Sequence, residues 1–252
     1  MNERFIGIVL KQSDYRENGA LVTVLCREYG KLCLSAAGVR KMTSRNAAGI
    51  LLYTKDEFQI DYNETRTMFR LKTAVPKALF RRMHENLTAS SAAAVMAEAA
   101  DMLSPEQDLL LCQRFYDLLE NAFELLEAGH NPNAVLAAVL SDMLIAAGMG
   151  PEVDECVLCE KKNAAAISAA DGGFLCLDCA KKQGIPAVSA EELHRFRLIV
   201  KAGMQNLDVI EPIAAAELKD VSILVDFLVL HAGVRMRSFS FYKRVFRIET
   251  GH

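Results

Sequence analysis

Four cysteines stand where one metal ion can use them. Cys156-Val-Leu-Cys159 and Cys176-Leu-Asp-Cys179 form two Cys-x2-Cys pairs separated by sixteen residues, the spacing of a structural zinc site. Two intervening residues let a tight turn aim both sulfurs at one ion. Two such turns complete a tetrahedron around Zn²⁺, whose d-shell imposes no competing geometry. A catalytic zinc keeps one position open for water, whereas four thiolates close the shell. The reading is one structural Zn²⁺. A thioredoxin-like redox dithiol and a pair of disulfides are the competing readings. A dithiol needs only one pair, and seven cysteines, an odd number, argue for a reducing compartment rather than a disulfide framework. Cys26, Cys33 and Cys112 lie in apolar runs and read as buried small hydrophobes. Lys161-Lys162 and Lys181-Lys182 follow the two knuckles. They suit the net negative charge of a four-thiolate zinc centre, with contact to nucleic-acid phosphates as the alternative role.

A second cluster is cationic. Gly38-Val-Arg40-Lys41-Met-Thr-Ser-Arg45-Asn46 holds three cations and no acid in nine residues. Charge and hydroxyl donors on a loop suit a phosphate backbone, which is bound without reading bases. Arg40, Lys41 and Arg45 are the candidate DNA contacts, with Lys31 at the start of the preceding strand assisting. The stretch Arg235–Arg247 carries five cations, four aromatics and no acid. It either stacks bases and tracks phosphates or anchors itself through Phe239, Phe241 and Phe246 with its cations in water.

Catalytic patterns are not found. Gly172-Gly173 is an isolated pair rather than a phosphate-binding loop. His84, His130, His194, His231 and His252 are scattered without metal or triad spacing. Glu120, Glu124 and Glu127 follow helical spacing and read as a solvated face. The expectation is a protein that is not an enzyme.

The elements that must position these residues fall into two classes. Phe5–Leu10, Ala20–Arg27, Leu32–Ala36, Leu51–Tyr62 and Thr67–Ala74 read as five short strands. Such strands fit a small closed barrel of the OB type, with a five-stranded SH3-like barrel as the alternative that the pattern does not separate. After Pro76 the period becomes helical. Ser104-Pro105-Glu106-Gln107, Asn131-Pro132 and the capping box Ser189-x-x-Glu192 each read as a helix start, and a further helix is expected over about Ala215 to Gly233. The fold class is therefore α+β and multidomain: an OB-fold barrel over 1–78, then an α-helical domain over 79–252 with a zinc-binding insertion at 152–184.

Charge follows the same division. Residues 1–80 carry 13 Lys/Arg against 8 Asp/Glu, and residues 81–155 carry 3 against 13, beneath a net charge of −3. A basic barrel beside an acidic helical stretch points to a polyanion at the barrel. Met-Asn-Glu-Arg leads straight into a strand pattern with no signal peptide. The apolar runs near Val135–Ala147 and Val221–Leu230 are broken by Asp142 and Asp226 and are too short to span a bilayer. A cytoplasmic protein is expected.

Taken in order, these motifs resemble a known family. Gly7-Ile-Val-Leu, Tyr15-x-Glu17-Asn18, Leu21-Val-Thr-Val-Leu25, Glu28-Tyr-Gly30-Lys31 and Gly38-Val-Arg40-Lys41-x3-Arg45 precede a helical unit broken by the four-cysteine segment with Gly172-Gly-Phe-Leu-Cys176. The series resembles RecO, a family of bacterial DNA repair proteins, in its zinc-containing form and over essentially the whole chain. Glu160 departs from it, standing where the family often has glycine. The resemblance implies a recombination mediator of the RecF pathway, associated with the nucleoid during repair. Such a protein binds single- and double-stranded DNA and anneals complementary strands. It engages the C-terminal tail of the single-stranded-DNA-binding protein SSB, and with RecR it helps load the RecA recombinase. A zinc-stapled protein–protein adaptor that does not bind DNA is the alternative.

Overall fold

The structure, a computed structural model, describes residues 2–63, 65–105, 108–233 and 235–251. Two compact units emerge, neither a single stretch of chain: residues 1–86 with 96–128, and residues 87–95 with 129–252.

The first unit is built on five strands, β1 (Asn2–Tyr15), β2 (Gly19–Cys26), β3 (Gly30–Ala36), β4 (Lys55–Asp61) and β5 (Met68–Ala78). They close into a barrel in the order β1-β2-β3-β5-β4, with β4 pairing back to β1. The β3–β5 pair is parallel (Cys33↔Met68, Leu34↔Phe69) and the other four are antiparallel. This Greek-key closure is that of the OB type. Alternation along the strands drives Phe5, Val22, Val24, Leu34, Phe58 and Ile60 into one core. In β1 the alternation breaks, and Ile8, Val9 and Leu10 are all buried. The register slips between Val9 and Lys11, a bulge that turns one extra side chain inward and bends the strand.

The fourth strand begins later than the apolar run Leu51–Tyr62 suggests. Thr54 Oγ1 donates to the Leu51 carbonyl at 2.7 Å, and Tyr53 takes a positive φ of 61°. The segment is therefore a turn, and pairing starts at Lys55. Helices α1 (Arg81–Glu85) and α3 (Leu109–Ala128), with the second half of α2 (Leu87–Leu103), complete this unit. The helix start read at Ser104 is displaced. The Ser104 N–H donates to the Ala100 carbonyl and so closes α2. Glu106 and Gln107 lie outside the described residues, and Asp108 Oδ1 accepts from the Leu111 N–H at 2.9 Å as the cap of α3.

In the second unit α4 (Pro132–Ala146) is buried all round and packs against α6 (Ala190–Ala202), α7 (Leu207–Ala214) and α8 (Leu218–Ala232). Asn131 caps α4, and Ser189 with Glu192 forms the expected capping box of α6. The expected helix over Ala215–Gly233 begins at Leu218, because α7 precedes it and the Glu217 N–H turns back to the Ala214 carbonyl. The Arg235–Arg247 stretch is helical, forming α9 (Arg237–Thr250). Between α4 and α6 sits a hairpin, β6 (Ala164–Ser168) with β7 (Gly173–Cys176), followed by the short α5 (Leu177–Gln183). No helix among the described residues is long and apolar enough to cross a membrane.

Candidate nucleic-acid interface and candidate metal centre

The basic loop leaves β3 at Ala36 and is held at both ends. Val39 is 3% exposed and drops into the barrel core, so Arg40 and Lys41 beside it are turned to solvent. Gly38 makes the turn at φ +66°, a conformation that side chains strain to adopt. The Arg40 N–H donates to the Asn18 carbonyl, tying the loop to the β1–β2 turn. At the far end the Asn46 amide bridges to β5, donating to the Lys72 carbonyl at 3.0 Å and accepting from the Ala74 N–H at 3.1 Å. Between these anchors Met42 and Arg45 are exposed.

The anchoring brings together residues far apart in sequence. Lys41 lines a cleft of about 560 Å³ with Tyr15, Arg16, Asn18 and Arg70. Arg16 sits in the β1–β2 turn, with its guanidinium 5.1 Å from the Tyr15 ring. Arg70 is on β5, which only the parallel β3–β5 pairing places beside this loop. Sequence reading passed over all three of Tyr15, Arg16 and Arg70. Tyr15 opens the motif Tyr15-x-Glu17-Asn18 and Arg16 fills its second position, so both were open to discovery as contacts; Arg70 carried no local signal. Arg40 is salt-bridged to Asp14, and that hydrogen bond holds the Asp14 carboxyl below the ordinary aspartate range. The pair is solvent-exposed and therefore weak, so an incoming phosphate can replace the carboxylate.

Lys31 is not brought to this end. It sits near the opposite end of the seven-residue β3, which at ~3.3 Å per residue puts it roughly 15–20 Å from the loop. Its ammonium donates to the Asp101 carbonyl at 2.6 Å and lies 3.4 Å from the Asp101 carboxylate. Of Glu120, Glu124 and Glu127 on α3 only Glu124 is exposed, and the other two are turned to partners within the fold. Glu120 accepts from Arg27 at 2.9 Å, Lys55 at 3.0 Å and Tyr116 at 3.1 Å, and Glu127 accepts from the Met83 N–H. Helical spacing is the same whether a face meets water or a basic barrel, so the spacing of Glu120, Glu124 and Glu127 could not tell the two apart.

In the second unit the four predicted cysteine ligands converge, with all four sulfurs within 4.8 Å of one another. Cys159 Sγ lies 3.6 Å from both Cys176 Sγ and Cys179 Sγ. A tetrahedral zinc with ~2.3 Å Zn–S bonds needs sulfurs about 3.8 Å apart, so the donor set fits, and the cysteines are free thiols rather than cystines. The first knuckle is a turn in which the Cys159 and Glu160 N–H groups donate to the Cys156 carbonyl. The second places Cys176 at the N-cap of α5 and Cys179 in its first turn. Burial raises the Cys156 thiol, but hydrogen bonds from the Cys176 and Leu158 N–H groups and from Cys159 outweigh it and bring it down to about 6. The Cys176 thiol is lowered as well, whereas those of Cys159 and Cys179 are raised, the latter to about 12, so only two of the four are poised as the thiolates that bind metal. Glu160 has a φ of 61°, in the left-handed region that favours glycine, which explains why a glycine suits this position.

The segment is fastened to the helices behind it. The Glu152 backbone bridges Gly173, where a Cβ would come within 2.2 Å of the Glu152 carbonyl oxygen. Arg197 donates to the Val153 carbonyl at 2.5 Å and, with Lys201, pairs with Asp154. Lys161 is paired with Asp178 at 3.0 Å, linking the knuckles. Lys181 and Lys182 lie in the last turn of α5, where its dipole favours cations. Elsewhere Cys26 and Cys112 are buried as expected, the Cys26 thiol pushed up to about 12 by desolvation, while Cys33 is half-buried. His84, His130 and His231 meet Tyr53, Glu211 and the Ala169 carbonyl respectively, and His252 lies outside the described residues.

Two family models match the chain: Recombination protein O N terminal over residues 1–80 and Recombination protein O C terminal over residues 84–238. Among curated proteins, it is 26% identical over 236 residues to a DNA repair protein RecO of Halalkalibacterium halodurans, covering 92% of this chain and 91% of that one. It is 29% identical over 220 residues to the Bacillus pumilus protein of the same name, covering 85% and 84%. With that of Bacillus velezensis it shares 30% identity over 177 residues, covering 70% and 68%.

Proposed function

This chain belongs to the RecO family of DNA repair proteins, and from that premise we propose that it is a non-catalytic recombination mediator that grips DNA at the loop end of its barrel. It binds single- and double-stranded DNA and anneals complementary strands. With RecR it helps load RecA onto DNA coated by SSB. The observation that carries this reading is the exposure of Arg40, Lys41 and Arg45 on an anchored loop beside a cleft that also holds Arg16, Arg70 and the Tyr15 ring. Cations and an aromatic face are what a sequence-tolerant strand site needs. Lys31 joins such a site only if its ammonium leaves Asp101, and we assign it a structural role.

The four-cysteine centre holds one structural Zn²⁺ in this reading, supplied by Cys156, Cys159, Cys176 and Cys179. The functional division follows the chain, with the principal DNA grip in residues 1–78 and partner binding in 79–252. The SSB tail docks on the helical part, since an amphipathic acidic peptide needs an apolar groove between helices rimmed by a cation. Annealing of complementary oligonucleotides by the full-length protein tests the proposal. Acceleration that declines with added salt supports it. Protein that binds partners but shows no salt-dependent DNA binding is instead a zinc-stapled adaptor.

A further inference from the structure

Helix α9 is amphipathic in an unusual way. Its inner face buries Phe239, Tyr242, Val245 and Phe246, and the Tyr242 hydroxyl donates to Asn133 Oδ1 at 2.9 Å, pinning the helix to α4. Of the three phenylalanines read as anchors, only Phe239 and Phe246 serve as such. Phe241 is 45% exposed and Ile248 is 81% exposed. Arg237, Phe241, Arg244 and Ile248 follow an i, i+4, i+7, i+11 spacing that makes one stripe along the outer face, with Arg247 beside it. The Arg244 guanidinium lies 5.8 Å from the Phe241 ring centroid. Among the described residues no carboxylate is salt-bridged to Arg244 or Arg247.

We infer that the outer face of α9 is a second strand-binding surface on this chain, taking single-stranded nucleic acid by stacking a base on Phe241 and holding phosphates with Arg244 and Arg247. No acid occurs between Arg235 and Arg247, so the charge of Arg244 and Arg247 favours an anionic partner. Phe241 stands on the crest of a helix with a guanidinium beside its ring. That offers a flat surface for a base, since every base has a π face, whereas an apolar peptide anchor needs a pocket to enter. Arg244 lies about 4.5 Å along the helix axis from Phe241, and Arg247 about 4.5 Å further, at 1.5 Å per residue, within reach of the phosphates that follow a base stacked on the ring. The inference draws on residues of the second unit alone and does not depend on the barrel loop being a DNA site. It adds a place for a second strand, which annealing requires.

The test uses full-length protein and an oligothymidylate carrying 5-iodouracil, which crosslinks to stacked aromatic rings on irradiation. The expected result is a crosslink at Phe241 that persists when Arg40, Lys41 and Arg45 are changed to alanine. Phe241→Ala should weaken binding of the second strand about tenfold, and Phe241→Trp should restore it while Phe241→Leu does not. Both side chains are exposed, so these variants fold. Crosslinks confined to the first unit, or second-strand affinity unchanged in Phe241→Ala and Arg244→Ala/Arg247→Ala, overturn the inference. Rescue by Phe241→Leu equal to that by Phe241→Trp also overturns it, since apolar bulk rather than stacking is then what matters.

Discussion

The barrel has cations on two sides, and they have different fates. On the side facing α3, Arg27 meets Asp117 and Glu120, Lys55 meets Glu120 and Glu124, and Lys31 meets Asp101. At the loop end Lys41 and Arg45 are exposed, Arg40 has only the exposed Asp14, and Arg16 and Arg70 border an open cleft. The basic excess of residues 1–80 therefore overstates what is available to a polyanion. Where a cation's partner is supplied within the fold, it holds two elements together; where the fold supplies none, it remains available to a ligand. Counting charges gives the sign of the partner, and pairing gives its position.

The largest expected effect belongs to the second unit and serves as the control for both sides. The zinc segment's own core is small, with three of the ligand cysteines among its six buried residues. Apparent zinc affinities of structural sites run to ~10–16 kcal/mol, which is also folding free energy. Metal analysis should find one zinc per chain. Cys176→Ser or chelation should abolish amide-exchange protection across residues 152–188 while strands of the barrel keep theirs. The salt dependence of DNA binding by the surviving barrel should not change. Loss of barrel protection along with the metal would break the separation drawn here.

Next comes the paired side. Glu120→Ala removes the acceptor shared by Arg27, Lys55 and Tyr116, and should cost about 1–3 kcal/mol by denaturant titration. DNA affinity should hold or rise slightly, because the released cations add to the positive field. A loss of DNA affinity in folded protein would place DNA on this side.

A smaller effect concerns pH. Asp56 is buried in the barrel, its Oδ2 2.6 Å from the oxygen of the Thr54 hydroxyl, whose own hydrogen goes to the Leu51 carbonyl, and its Oδ1 unpartnered. Desolvation raises its carboxyl to about 7, against the smaller lowering by Thr54. The folded state thus holds a proton that the unfolded chain releases near pH 4. The stabilisation is complete below that value and is lost as pH rises towards 7, with a slope of at most about 1.4 kcal/mol per pH unit. Asp56→Asn should flatten this slope in thermal melts between pH 4 and 7 and leave the salt dependence of DNA binding alone. An unchanged slope would mean that Asp56 is ionised in the fold.

What the sequence could reveal depended on how local each signal was. The convergence of the four cysteines was legible because each pair is set by one turn or one helix start. The cations of the Gly38–Asn46 loop were legible as composition. Arg70 was not, because β5 reaches this loop only through a parallel pairing with β3 that no neighbouring residue announces. Lys31 was misplaced because belonging to β3 says nothing about which end of it a residue occupies. In the tail the basic and aromatic content was plain, but separating Phe241 from Phe239 and Phe246 required knowing that the stretch is helical. Ser104 looked like a cap, yet its N–H was already committed to α2.

The central claim is that phosphates are bound by the loop end of the barrel, and one titration tests it. Single-strand affinity is measured against salt for the wild type, for Arg40→Ala/Lys41→Ala/Arg45→Ala, and for Lys31→Ala. Each phosphate contact on a single strand contributes about −0.7 to the slope of log affinity against log salt. The triple variant should therefore flatten the slope by roughly 2, equally for different DNA sequences because phosphates carry no base identity. Lys31→Ala should keep the wild-type slope. A triple variant with an unchanged slope, beside a Lys31→Ala protein whose slope falls, would contradict the account and move the DNA to the side facing α3.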